Sequence, residues 1–444
     1  MLKRAQMGRN AKPFFFAVLA LLTTSFVALT LYDPRLVKFH VVDRFKDLTT
    51  SAPKPNPVDN DVVDALVHDT QIVPPAKDTV APFSPHDERN FIMTEKQCEA
   101  SFPGLYVEIQ RAVEDRMPRP ITLDELEAVN NSTYGYFRGM IYNQELYVMK
   151  MVEPNFSRGF ATLMAMHRAI VTSPEPLPNI EFTFNTADYI DFEQSGATWT
   201  YARRYNETIN WLMPDFGYWS WPEPKVGSYN EVRLKARMAD EAIPWEKKIP
   251  KIVWRGATLK LPVRLALINK TKGAAWADVK ALDWGSAESK EKDLLSMSDH
   301  CHYRFVAHTE GYSYSGRLKY LQQCRSVIIA HKLDWVQHYH SLLIPDGPNQ
   351  NYVECKRDFS DLEEAIKELR WDEEKAKRIA DNSVKTFRER YLTPAAEACY
   401  WRKFIKGWRS VSFEPKLLDD KGNLRGVPIE SFILERRTDW APYR

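Results

Sequence analysis

The sequence predicts an α/β protein carried behind a membrane anchor, and three observations lead there. From about residue 91 onward, short β-type apolar runs alternate with amphipathic helical stretches. Ahead of them, Phe14 to Tyr32 forms 19 residues without a charge, and a proline-rich stretch joins the two regions. The roughly 350 residues that follow suit two domains of ordinary size, and two Rossmann-like halves facing a cleft fit that length.

At the N-terminus, Lys3, Arg4, Arg9 and Lys12 precede the apolar run. At about 1.5 Å per residue the run spans roughly 28 Å, one hydrocarbon core. It exceeds the h-region of a cleavable signal and lacks a good small-x-small site, so residues 13–32 read as an uncleaved signal anchor. The basic residues 1–12 then stay cytosolic and the rest faces the lumen. Residues 33–90 read as a stem: Pro53, Pro55, Pro57, Pro74, Pro75, Pro82 and Pro85 oppose regular structure. Beyond it, Ile180 to Phe184 and Ile249 to Trp254 read as strands and Ser326 to Ala330 as a short buried one. Gly316 to Arg325, Asp361 to Leu369 and Asp372 to Arg388 read as helices.

A net charge of +2 argues against a nucleic-acid partner. The 13 tryptophans suit either sugar stacking or an aromatic core. Sequons at Asn130, Asn131, Asn155, Asn206 and Asn269 all follow the anchor, as do Cys98, Cys301, Cys324, Cys355 and Cys399. An oxidising lumen favours two disulfides and one odd thiol, and the spacing leaves the pairing open.

Four constellations carry candidate chemistry. Asp188 follows the Ile180 strand, where a carboxylate serves as a general base on a hydroxyl or as an ordinary turn cap; Asp191 is a rival for that role. Arg255–Gly256 ends a strand, where an arginine can grip a diphosphate bidentately and a glycine admits the backbone, or where the arginine simply pairs with an acid. Gly311 to Lys319 leads small residues into a helix start that suits phosphate, with Arg317 and Lys319 adding charge. Trp211 to Trp221 supplies either an aromatic wall or core. Metal signals are weak. Asp299–His300–Cys301–His302 cannot converge on one ion, and the one Asp-x-Asp, Asp59–Asn60–Asp61, lies in the stem. No required metal and no cofactor are therefore expected. Walker, GxGxxG, GxSxG and HExxH patterns are missing.

The blocks PWEKKIPKIVWRG (from Pro244), DHCHYRFVAHTEGYSYSGRLKYLQQC (from Asp299), the following SVIIAHKLDWVQHYHSLLIPDGPNQNYV, and Ala398–Cys399–Tyr400–Trp401 keep one order and spacing. Together, from about Asp188 to Trp401, they resemble glycosyltransferase family 90, the capsule-associated and Rumi-like group. The resemblance implies a GT-B fold with a first Rossmann-like acceptor domain (91–245), a second nucleotide-sugar domain (246–395) and a C-terminal helix and tail (396–444) packing back on the first. It implies metal-independent inverting transfer of glucose or xylose from a UDP-sugar to a hydroxyl of a glycan, glycolipid or protein. The base falls on Asp188 of Asp188–Tyr189, and the diphosphate arginine on Arg255. The donor loop falls on Tyr312, Ser313, Tyr314, Ser315, Gly316 and Arg317, and the acceptor segment on Phe216, Trp219 and Ser220. One disulfide falls on Cys301–Cys324 and a second on Cys98–Cys399. Three departures stand out. Gly316 replaces an aromatic residue of animal members, the C-terminus is not an ER-retrieval signal, and the region before about residue 150 shows no recognisable family block. Anchor and stem look like fungal members and favour a type II Golgi protein over an ER one. A non-catalytic lumenal glycan- or cargo-binding protein of the same fold is the alternative, and a glycoside hydrolase lacks a convincing carboxylate pair.

Overall fold

A computed structural model of the chain describes residues 83–132, 134–152, 156–188, 197–221, 223 and 225–435. The anchor, nearly all of the stem, Asn155, Tyr189, Asp191 and the C-terminal residues 436–444 lie outside the described residues. Met1–Thr79 and Val80–Arg444 separate as two units, and every described element belongs to the second. No described helix is long and apolar enough to cross a membrane.

Two sheets organise this unit. In the first, β1 (Tyr136–Tyr142) and β2 (Glu145–Met151) form a hairpin. Its turn residues Asn143 and Gln144 have φ of 50° and 67°, the positive values that a two-residue hairpin turn demands. β3 (Ile180–Asn185) lies antiparallel to β1, while β4 (Thr198–Thr200) and β5 (Trp211–Leu212) continue parallel to it. Val427–Pro428 adds an antiparallel edge beside β2. This sheet is therefore mixed, unlike the parallel sheet of the expected Rossmann-like half, because a tight turn can join only antiparallel neighbours.

The second sheet is wholly parallel, as a Rossmann-like half is. β6 (Ile249–Gly256), β7 (Ala277–Ala281), β8 (Tyr303–His308), β9 (Val327–His331) and β10 (Val353–Cys355) stand in the order β7-β6-β8-β9-β10. All five residues of β9 are buried, the near-continuous apolar pattern of a strand covered on both faces. β7 lies on one side of β6 and β8 on the other, so a crevice opens beyond the carboxyl ends of β6 and β8.

The helices that position the site are α1 (Phe156–Val171), α2 (Tyr229–Ala242), α3 (Pro262–Thr271), α4 (Leu318–Leu321), α5 (Glu373–Ser383) and α6 (Pro394–Ser410). The expected helix from Gly316 to Arg325 shrinks to the four residues of α4. The expected Asp372–Arg388 helix is α5 followed by a π-helical stretch, Val384–Tyr391. That stretch leads into α6, whose buried face joins the first sheet's core. Trp408 stands edge-on to Trp199 and Trp211 at 5.3 and 5.0 Å, and its indole N–H donates to the Glu181 carbonyl at 2.9 Å. Trp199, Trp211 and Trp254 are thus core residues rather than a sugar-stacking wall. Cys98 bridges to Cys399 and Cys301 to Cys324, while the buried Cys355 thiol stays free. One ion pair with both side chains buried links the sheets: Lys319 Nζ lies 2.7 Å from Asp215 Oδ1.

Candidate active site

The crevice beyond β6 and β8 is a cleft of about 500 Å³ whose walls come from both sheets. Asp188, Phe216, Arg255, Tyr312, Tyr314, Ser315, Gly316 and Arg317, each singled out in the sequence, line it. Ser313 lies buried just behind, its hydroxyl without a partner among the described residues. Trp219 and Ser220 do not reach the cleft; they line a separate hollow with Arg168, and Trp221 takes the cleft position instead. Alternation within the Ser220–Trp221 strand turns neighbouring side chains to opposite faces.

Asp188 is presented by a bend. As β3 ends, the Asn185 side chain accepts from the Ala187 N–H at 2.7 Å, an Asx turn that swings the chain out of the sheet. The half-exposed carboxylate accepts from Arg158 Nη1 at 2.6 Å. Arg158 also donates to the Thr186 carbonyl at 3.2 Å and lies 4.9 Å over the Phe216 ring. It arrives there because Gly159 lets α1 settle onto β1: a Cβ at that position would overlap the Phe137 ring.

Arg255 lines the cleft with most of its donors already spoken for. Its guanidinium donates to the Asp278 carboxylate at 2.8 Å and to the carbonyls of Asp278, Asp293 and Trp254 at 2.6, 2.9 and 3.0 Å. Two other arginines differ. Arg264, near the start of α3, donates only to the carbonyls of Glu310 (2.9 Å) and Ala257 (2.7 Å). Arg317 donates to the Arg255 carbonyl. Among the described residues neither has an ion-pair partner. Both guanidinium groups lie over the Trp254 ring, at 6.0 and 5.6 Å. Burial, and then the neighbouring Arg264 charge, push the Arg317 guanidinium down to about 9, and burial lowers Arg264 as well. Both remain cationic at neutral pH. The Asp188 charge partly offsets burial at Arg264, but with no described carboxylate in ion-pair contact the two like charges form a site that an anion stabilises. Gly256 permits the approach: a Cβ there would lie 2.9 Å from Trp254 and 3.3 Å from Arg317 Nη2.

Lys319, expected to add charge to the donor loop, points elsewhere. It is held by Asp215 and by the Gly316 carbonyl (2.7 Å). The four-residue α4 is too short to offer a helix dipole, so the loop's cationic character rests on Arg317. Arg158, Arg264, Trp284 and His300 were not legible as site residues. Arg264 left a trace, an arginine just inside the helix that follows an Arg-Gly strand end, and His300 stood inside the block from Asp299 with no site role. Among the described residues no three His, Cys, Asp or Glu side chains gather in a way that could hold a metal.

The model of the family described as Glycosyl transferase family 90 matches residues 95–421. An O-glucosyltransferase rumi homolog of Aedes aegypti is 24% identical over 267 residues, covering 54% of this chain and 64% of that protein. Protein O-glucosyltransferase 1 of Rattus norvegicus is 25% identical over 252 residues, covering 52% and 62%. The chain thus spans less than two thirds of the length of these relatives. A crystal structure of Anabaena Alr3699/HepE in complex with UDP-glucose aligns over 39% of this chain and 52% of that one, at 12% identity and a TM-score of 0.25. With the family model spanning most of its length, the chain belongs to glycosyl transferase family 90.

Proposed function

We propose that this protein is an inverting glycosyltransferase that moves glucose or xylose from a UDP-sugar to a hydroxyl of a glycan, glycolipid or protein. The observation that carries this reading is the pairing, in one cleft, of an accessible carboxylate with two arginines lacking carboxylate partners. The diphosphate lies against Arg264 and Arg317, with Arg255 behind them as the group that holds the β6 end in place. Asp188 takes the proton from the acceptor hydroxyl as its oxygen bonds to the anomeric carbon. The bond from that carbon to the diphosphate oxygen breaks, and the arginines stabilise the charge left on UDP. A single in-line displacement inverts the anomeric centre. The reaction requires no divalent ion or cofactor, because the arginine pair supplies the positive charge. The relatives' names, O-glucosyltransferases, support glucose as donor sugar and protein as acceptor. We read the two sheets as the facing halves of a GT-B enzyme. We also place the protein in the Golgi membrane, anchored through residues 13–32 with its catalytic part lumenal, a setting in which the two disulfides are stable.

A non-catalytic binding protein of the same fold is the second reading, favoured by the 2.6 Å Arg158–Asp188 pair, which occupies the proposed base. The test uses the purified full chain in detergent with EDTA, titrated with UDP-glucose, UDP-xylose and GDP-mannose, followed by transfer assays of the native chain and Asp188→Asn. The enzyme reading requires binding of a UDP-sugar without metal, and transfer that disappears in Asp188→Asn while UDP still binds. A native chain that binds UDP and transfers nothing, or no binding at all, removes it.

A further inference from the structure

His300 carries an inference that rests on the UDP-sugar reading and extends it. Its side chain is 4% exposed and lines the cleft. Nδ1 lies 2.9 Å from the Ser296 carbonyl. A carbonyl only accepts, so Nδ1 carries the proton and Nε2 keeps its lone pair. Burial holds the ring neutral by pushing it down to about 4, with Arg317 and Arg255 acting in the same direction. Among the described residues nothing pairs with Nε2.

The position is rigid. The Ser296 and Asp299 backbone N–H groups exchange hydrogen bonds with each other's side chains at 2.8 and 3.1 Å. Cys301 is bridged to Cys324, and its carbonyl accepts from Lys248 at 2.6 Å. The cleft therefore holds a preorganised lone-pair acceptor to which no described residue donates. A phosphate oxygen is repelled by that lone pair. The cleft also has apolar lining: Leu294, Leu295 and Met297 of the same segment, and Trp284, 43% exposed. A flat heteroaromatic ring with one N–H donor on its edge and apolar faces to pack fits these surroundings better than a sugar rich in hydroxyls.

We propose that His300 reads the donor's base, its Nε2 accepting the hydrogen bond from uracil N3–H. Cytosine presents a lone pair at the same position and is rejected.

The test compares UDP, CDP, N3-methyl-UDP and 2′-deoxy-UDP by calorimetry on the native full chain and on His300→Phe. In the native chain, CDP and N3-methyl-UDP bind about tenfold or more weakly than UDP, the loss expected when a buried acceptor is left unpaired. In His300→Phe that preference collapses to within about twofold, the discrimination having rested on one hydrogen bond. If His300→Phe fails to fold, the native comparison still decides. Equal native binding of UDP and N3-methyl-UDP overturns the proposal. So does a penalty confined to 2′-deoxy-UDP, which would give Nε2 to the ribose. Both leave the donor reading intact, whereas no binding of UDP at all overturns that reading and this inference with it.

Discussion

Replacing Arg264 by Gln tests the anion site most directly. Arg264 donates to two carbonyls, Glu310 at 2.9 Å and Ala257 at 2.7 Å, and lies close enough to Arg317 to lower its pKa. Gln keeps N–H donors for those carbonyls but removes the charge. Losing a charge-assisted hydrogen bond to the diphosphate costs about 1.5–3 kcal/mol, or about ten- to a hundredfold in UDP affinity. In the free protein the same change relieves repulsion against Arg317, so its melting temperature should equal or exceed that of the native chain. Calorimetry with UDP and a thermal melt without ligand measure the two quantities separately. Unchanged UDP affinity together with a lowered melting temperature would refute the reasoning, because Arg264 would then be a strut for its carbonyl partners and not an anion ligand.

Three further outcomes follow from the packing. Lys319→Met should lower unfolding free energy by about 3–5 kcal/mol in chemical denaturation, since it strands a buried Asp215 carboxylate, and adding Asp215→Asn should recover much of that loss. Removing the Cys301–Cys324 bridge, which spans 23 residues, by a double Ser substitution should cost about 3 kcal/mol; an unchanged melting temperature would contradict this. His300, His331 and His340 are pushed by burial from 6.5 to about 4, so between those values the unfolded chain binds more protons than the folded one. Stability contributed by these rings is full above pH 6.5 and is lost as pH falls towards 4, and a melting temperature that stays flat across that window would show that they are not buried as described.

Several parts of the site were readable because they are local. β6 runs from exposed residues into the buried Ile252–Val253–Trp254 and ends in Arg255–Gly256, and such a strand end marks a loop facing the crevice wherever the sheet is parallel. Asp188 was readable for the same reason, as the first carboxylate after a strand. The Trp211–Trp221 segment was ambiguous because an indole packs equally well in a core and on a surface, and here neighbouring residues do both: Trp211 is core, Trp219 faces a side hollow and Trp221 faces the cleft.

The sequence by itself determined the α/β class, the strand ends that bear Asp188 and Arg255, the Tyr312–Arg317 loop and the cysteines available for bridging. These depend on hydrophobic period, turn chemistry and residue order, all written within a few neighbouring positions. Tertiary structure alone decided which cations stay free. Arg255 and Lys319, both cationic candidates by sequence, lie against Asp278 and Asp215, which are 23 and 104 residues away in the chain. Arg158, Arg264 and His300 sit on three separate segments and meet only because the two sheets face one cleft. Whether a charge is neutralised depends on what lies within a few ångströms of it, and a linear order does not contain that distance.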